Sequence, residues 1–251
     1  VKKGWNLAAS VARGGDRLLN AVIAILLIIA LLFGGFGVWD TWKIYHNASV
    51  SADLLKYKPN STGYDTPNPI LKELQKINPD ICAWLTVDET HIDYPVVQGE
   101  NNWEYLNRGV DKEFSLSGSI FLDCDNSNDF TDQFSLIYGH HMEGNVMFGE
   151  LPNFLEDDYF ESHSTGTLFT VEHTLFITWF ACMETDAFDM MVYWPTRYQT
   201  SEPIDDLVEY LQENATQYRE IGVTSSDRIV ALSTCSDGAT DGRVVLFGRI
   251  S

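Results

Sequence analysis

The chain of 251 residues is 45% hydrophobic and 13% aromatic, enough apolar side chain for one sizeable core and an appendage, which excludes a disordered chain. Its 36 Asp and Glu against 16 Lys and Arg leave a formal net charge of −20 at pH 7. A surface of that sign repels polyanions and argues against nucleic acid as a partner.

Residues 18–39, "LLNAVIAILLIIALLFGGFGVW", contain no charge. As a helix they reach about 33 Å, enough to cross the hydrocarbon core of a bilayer. A signal peptide carries a shorter apolar stretch, about 7 to 15 residues, and a small-residue cleavage site. Here the stretch runs on and leaves through "GGFGVWD", so it reads as an uncleaved anchor. Lys2, Lys3, Arg13 and Arg17 precede it with only Asp16 in opposition, which keeps residues 1–17 in the cytoplasm and everything after about residue 40 outside, a single-pass type II arrangement. Residues 1–43 hold five basic and two acidic side chains, so the exported part carries a net charge of −23.

Beyond the span, residues 40–68 read as a helical stalk and linker. The stretch 41–58 can continue as a helix with Leu54 and Leu55 as apolar contacts, and "PNSTGYDTPNP" (59–69) has linker composition. A short helix over 70–78 would place Ile70, Leu71, Leu74 and Ile77 on one face. From Ile81 the period changes: "ICAWLTV", "IDYPVVQG", "GSIFLDC", "FSLIYGH", "GTLFTVEH", "LFITWFACM", "RIVALSTC" and "RVVLFGRI" are short β-rich runs separated by turn residues. Eight such runs argue for a mainly β barrel or sandwich. One helix interrupts them over 203–219, with Pro203 at its start, Ser201 as a possible cap, and Asp205 and Asp206 in its first turn. Glu156, Asp157 and Asp158 read as a solvated helix start or turn rather than a calcium site.

Four cysteines in an exported domain of this size are too few and too scattered for a disulfide framework, and no C-x-x-C pair suggests zinc. Cys82 and Cys182 sit within apolar runs and read as inert core residues. Cys235 instead ends a strand-like run and meets the turn-rich "SDGATDG", which suits exposure at a barrel rim. His140 and His141 also follow a strand end, whereas His46, His91, His163 and His173 have no comparable local motif. Arg243 opens the last run, either as an edge residue with its head in water or as a fixed cation for an oxyanion.

"YGHHM…MFGEL", then "LSTC", then an arginine eight residues after the cysteine, strongly resembles the sortases of Gram-positive bacteria, class B in particular. The likeness covers residues 69–251. It implies an eight-stranded β-barrel with N-terminal helices and an inserted helix before the penultimate strand, with Cys235, His140 and Arg243 as the catalytic three. The family's T-L-x-T-C falls on Ala231, Leu232, Ser233, Thr234 and Cys235, so its first threonine is alanine here. Leu232, Ser233, Thr234 and His141 are then candidates to line the substrate.

By resemblance the protein is a cysteine transpeptidase. It would cleave a C-terminal sorting motif of exported surface proteins through a thioester and transfer the acyl group to an amine of a lipid-linked peptidoglycan precursor, with no metal or cofactor. Residues choosing the motif are expected on loops, including 184–200 and 220–228. The alternatives are a class B pilin polymerase using a pilin lysine, an inactive membrane-tethered binding module on the same scaffold, and an ordinary cysteine protease.

Overall fold

The computed structural model describes residues 2–48, 50, 52–60, 62–200, 203–235 and 242–251, with side chains for all of these except 2–14, 47, 52, 200 and 235. The possible cap Ser201 and the loop between Cys235 and Gly242 therefore lie outside the described residues. Two compact units make up the chain, Val1–His46 and Asn47–Ser251.

The first unit belongs to helix α1 (Lys2–Ala48), whose stretch Gly15–His46 is long and apolar enough to cross a membrane. Its Leu, Ile and Phe side chains are exposed. The helix that 41–58 suggests is broken: α1 stops at Ala48 and α2 (Ala52–Leu55) is a separate turn. Asn and Ser disfavour a helix interior, and Val50, between the two helices, is half-buried against the apolar clusters of the second unit.

Within 59–69 the main chain is tied to the barrel, Asp65 N donating to Thr174 O and Asn68 N to Val171 O, each at 2.8 Å. The buried Asn68 side chain adds hydrogen bonds to Thr170 O, His173 O and the Thr174 hydroxyl. Helix α3 (Ile70–Gln75) is shorter than the 70–78 of the sequence pattern. It buries Leu71 and Leu74 but leaves Ile70 and Ile77 exposed, because Asn78, followed by Pro79, turns its side chain to Tyr105 and the Val110 carbonyl and ends the run.

All eight strand-like runs are strands, and they close into a barrel. In chain order the strands are β1 (Ile81–Val87), β2 (Asp93–Val97), β3 (Ile120–Leu122), β4 (Phe134–Tyr138), the small hairpin β5 (His141–Met142) and β6 (Val146–Met147), β7 (Thr165–Thr170), β8 (Thr174–Asp186), β9 (Gln217–Tyr218), β10 (Arg228–Cys235) and β11 (Gly242–Ile250). The barrel order is β11-β10-β4-β3-β2-β1-β7-β8, and β8 pairs back to β11 from Gly242↔Asp186 to Ile250↔Ile177. Closure gives each of these eight strands a neighbour on both sides, although β8 outruns β7 beyond Thr178. Only β2–β3 and β4–β10 are parallel, so the C-terminal ends of β4 and β10 emerge side by side, next to the start of β11.

Alternation along the strands sorts the apolar side chains into three clusters. Leu85, Val96, Ile137, Trp179, Leu232 and Leu246 fill the barrel. On one outer face Phe134, Leu136, Val245 and Phe247 pack beneath Ile204, Leu207 and Leu211 of helix α6 (Ile204–Asn214); on another, Trp84, Phe121 and Phe169 pack beneath Leu71 and Leu74. Each of these fully buried side chains is worth about 1.5–3 kcal/mol over exposure. Two further short α-helices, α4 (Asp157–Ser162) and α5 (Arg197–Thr200), and a 3-10 turn over Leu151–Leu155 also lie in the second unit, with Asp157 and Asp158 in the first turn of α4.

Helix α6 ends five residues before the 203–219 pattern does. Ala215 turns to extended backbone and Gln217–Tyr218 form β9, pairing with Cys182 and Ala181 on the edge of β8 that β7 leaves open. Sheet hydrogen bonds there outweigh the helical propensity of "TQYR".

Candidate active site

The site is built where β4, β10 and β11 end together. The backbone register places Cys235 directly opposite Arg243 across β10–β11, and Thr234 opposite Val244. Beside them β4 finishes at Tyr138, paired with Ser233, and the chain continues through Gly139 to His140. Gly139 N donates to Ser233 O at 3.1 Å. A Cβ on Gly139 would stand 2.4 Å from Ile120 Cδ1 and 2.6 Å from the Phe148 ring, so only glycine lets the chain pass this close before the histidine.

A cavity of about 300 Å³ opens at this end, lined by His140, Ser233, Thr234 and Arg243, with Tyr138, Phe121 and Tyr193 as an aromatic floor and Asn102, Trp103 and Leu106 as one bank. Tyr138 stacks on Phe121 (centroids 5.2 Å) and on Tyr193 (6.4 Å), and the Tyr193 hydroxyl is 2.8 Å from Ser233 Oγ. The cavity thus lies in the seam between the two outer clusters, since Tyr138 packs against both.

His140 is half-buried, with Nε2 2.9 Å from the Leu106 carbonyl oxygen. A carbonyl only accepts, so this hydrogen bond sets the ring proton on Nε2 and fixes the ring's orientation. Arg243 is half-buried as well; its guanidinium donates to Gly242 O at 3.0 Å and forms no ion pair among the described residues. Thr234 is 2% exposed, and its hydroxyl has no partner among the described residues although the residue lines the cavity.

The remaining candidates separate. The Cys235 side chain lies outside the described residues. Leu232 packs in the barrel core, one step of alternation away from Ser233, and does not line the cavity. His141 sits in β5 opposite Met147 and is likewise absent from the lining, its Nδ1 buried without a partner among the described residues. Of the two loops expected to face substrate, 184–200 contributes Ala187 and Tyr193, while 220–228 contributes nothing to this cavity. The alanine at position 231 is fully buried between Leu136 and Phe247 in an apolar cluster, where a methyl group leaves no polar atom to satisfy.

The other three thiols are poor nucleophiles. Burial pushes the Cys82 thiol up to about 12 and raises that of Cys182 further. Cys124 is raised by burial and then by the charges of Asp123 and Asp125. All three are free of disulfides. Among the described residues the one grouping compact enough for a metal ion is Asp123, Cys124 and Asp125, with ligand atoms within 4.8 Å of one another, but the Asp123 carboxylate already accepts three hydrogen bonds. The other histidines also have partners: His91 meets Glu150 at 2.5 Å, His173 pairs with Asp65, and His163 stacks on Tyr159. What the sequence did not reveal is the aromatic floor and Asn102, which carry no motif of their own.

No protein-family model matches the chain. It is similar to sortase B of Listeria monocytogenes, 29% identical over 240 residues that cover 92% of this chain and 96% of that protein. Among solved structures, a Streptococcus pyogenes class B sortase involved in pilus biogenesis is 49% identical with a TM-score of 0.67, the match covering 72% of this chain and 97% of that one. A Staphylococcus aureus sortase B–substrate complex is 28% identical with a TM-score of 0.68, covering 74% of this chain and 87% of that one.

Proposed function

This chain belongs to the class B sortases, a transpeptidase family, and from that premise we propose that it works through Cys235 as nucleophile, His140 as proton carrier and Arg243 as the cation facing the oxyanion. The observation that carries the reading is the shared rim: Cys235 opposite Arg243 in the strand register, with His140, Thr234 and Arg243 around one cavity.

The thiolate of Cys235 attacks the carbonyl carbon of the scissile peptide bond, forming a C–S bond and a tetrahedral oxyanion held by Arg243. Collapse breaks the C–N bond, and the departing amine takes its proton from the His140 imidazolium. A thioester remains. An incoming amine, deprotonated by the now neutral His140, attacks it and expels the Cys235 thiolate, leaving a new amide bond. For the amine to win over water the thioester must be sheltered, and the aromatic floor and the Trp103 bank suit that task.

With the basic residues at the start of α1, ahead of its apolar stretch, in the cytoplasm, the catalytic domain meets exported sorting-motif proteins on the outer face of the membrane, and the acceptor is the amine of a lipid-linked peptidoglycan precursor. A second acceptor, a pilin lysine, is favoured by the 49% identity to the S. pyogenes enzyme involved in pilus biogenesis. The test is to incubate the protein with candidate sorting peptides and both kinds of amine, then weigh acyl-enzyme and products. A thioester mass that forms with peptide and is absent in Cys235→Ala supports the mechanism; products that remain hydrolytic at millimolar amine overturn transpeptidation, and the amine incorporated decides between wall and pilus.

A further inference from the structure

Asp123, directly after β3, is a carboxylate only 3% exposed. A buried carboxylate must be compensated, and here three donors do so. Oδ2 accepts from the Tyr138 hydroxyl at 2.8 Å and from Asn102 Nδ2 at 2.9 Å, and Oδ1 accepts from Asp125 N at 2.9 Å. The residue is itself held from two sides, its N–H donating to Leu136 O and its carbonyl accepting from Gln98 Nε2, both at 2.8 Å. The carboxylate is therefore a fixed point relative to β4 and the end of β2.

Both side chains it grips line the cavity. Tyr138 is the aromatic floor, stacked between Phe121 and Tyr193 and two residues before His140. Asn102 belongs to the bank that also supplies Trp103 and the Leu106 carbonyl on which His140 rests, and its Oδ1 accepts from Cys124 N at 2.8 Å. Burial first, then the charge and hydrogen bond of Asp123, hold the Tyr138 phenol well above the ordinary tyrosine value, so it stays protonated and remains a donor.

Resting on the functional reading above, we propose that Asp123 is a positioning residue of the substrate groove, whose hydrogen bonds to Tyr138 and Asn102 keep floor and bank in register with His140. A carboxylate suits the place because the three groups facing it all donate to it. An amide would turn its NH₂ against the Asp125 N–H or against the Asn102 NH₂, neither of which can accept, and an alanine would leave the Tyr138 and Asn102 donors without this acceptor.

The test uses the full chain in detergent with a sorting peptide and amine, reading kcat and KM together with the rate of Cys235 alkylation by iodoacetamide. Asp123→Asn is expected to raise KM about tenfold, the loss of one or two charge-assisted hydrogen bonds. Alkylation of Cys235 should stay within about twofold, since the rim itself is untouched. Tyr138→Phe, which keeps the ring and removes only the hydroxyl, raises KM in the same direction, and the two changes combine to less than the product of their effects because they break one hydrogen bond. This second variant decides the matter if Asp123→Asn does not fold. Unchanged KM in Tyr138→Phe, independent multiplication of the two effects, or alkylation slowing in step with turnover overturns the positioning role. A wild-type chain that forms no peptide-dependent thioester, or a Cys235→Ala chain that does, overturns the functional reading instead.

Discussion

The two ends of the barrel differ in a way that cavity size alone would misjudge. The end opposite β10's terminus carries the larger space, about 520 Å³, bounded by Asp65, Asp80, Asp129, His173 and Arg228, while the site end offers about 300 Å³. At the far end the charged groups are engaged with one another or with the backbone: His173 with Asp65, Asp80 with Lys112 and Tyr105, Arg228 with Phe130 O. At the site end Arg243 has no ion pair and the Thr234 hydroxyl no partner among the described residues, both facing an aromatic-floored groove. Polar groups not consumed by the fold, rather than volume, mark where chemistry can be done.

The largest expected effect at the site end is Cys235→Ala: complete loss of thioester and product by mass spectrometry, with the melting temperature of the wild type. Wild-type turnover in that variant would end the proposal. Next, Arg243→Lys keeps the charge but loses the planar donor fork, and kcat should fall by about 100-fold or more in steady-state assays. Removal of His140 to alanine should cost about 100-fold or more as well, whereas His141→Ala should retain most activity; the reverse order would show that the histidine chosen is the wrong one.

Changes at the far end should move stability and leave catalysis alone. Burial pushes the Asp80 carboxyl up, but the hydrogen bonds from Lys112 and Tyr105 and the charges of Lys112 and Arg108 outweigh it, and its pKa lies below the ordinary carboxylate range. A depressed folded-state pKa gives stability that is present above the unfolded value, about 4, and is lost as pH falls through the folded one. Asp80→Asn should therefore lower the melting temperature slightly at pH 7, the gap to wild type should close toward pH 3, and kcat/KM should stay within about twofold. A large drop in kcat/KM would erase the distinction between the two ends.

Much of this was legible from residues in order. Each of the eight strands is a short β-rich run bounded by its own turn residues, so local pattern sufficed. The rim residues Cys235, His140 and Arg243 stood out because each lies at the edge of a run. Less legible was the end of α6, where "TQYR" is compatible with helix and becomes strand only because β8 presents an open edge. Leu232 is the same kind of case: beside Ser233 in sequence, it faces the core because one residue of alternation reverses the side.

Sequence alone determined the apolar helix long enough to span a membrane, the strands, and the family to which the chain belongs, because each is written in local composition or short motifs. Only the tertiary structure decided that Cys235 and Arg243 stand opposite each other, that His140 rests on the Leu106 carbonyl, and that Asp123 grips Tyr138 and Asn102 across 15 and 21 residues of chain. Those relations depend on strand register and on the order of the strands around the barrel, which local sequence pattern does not set.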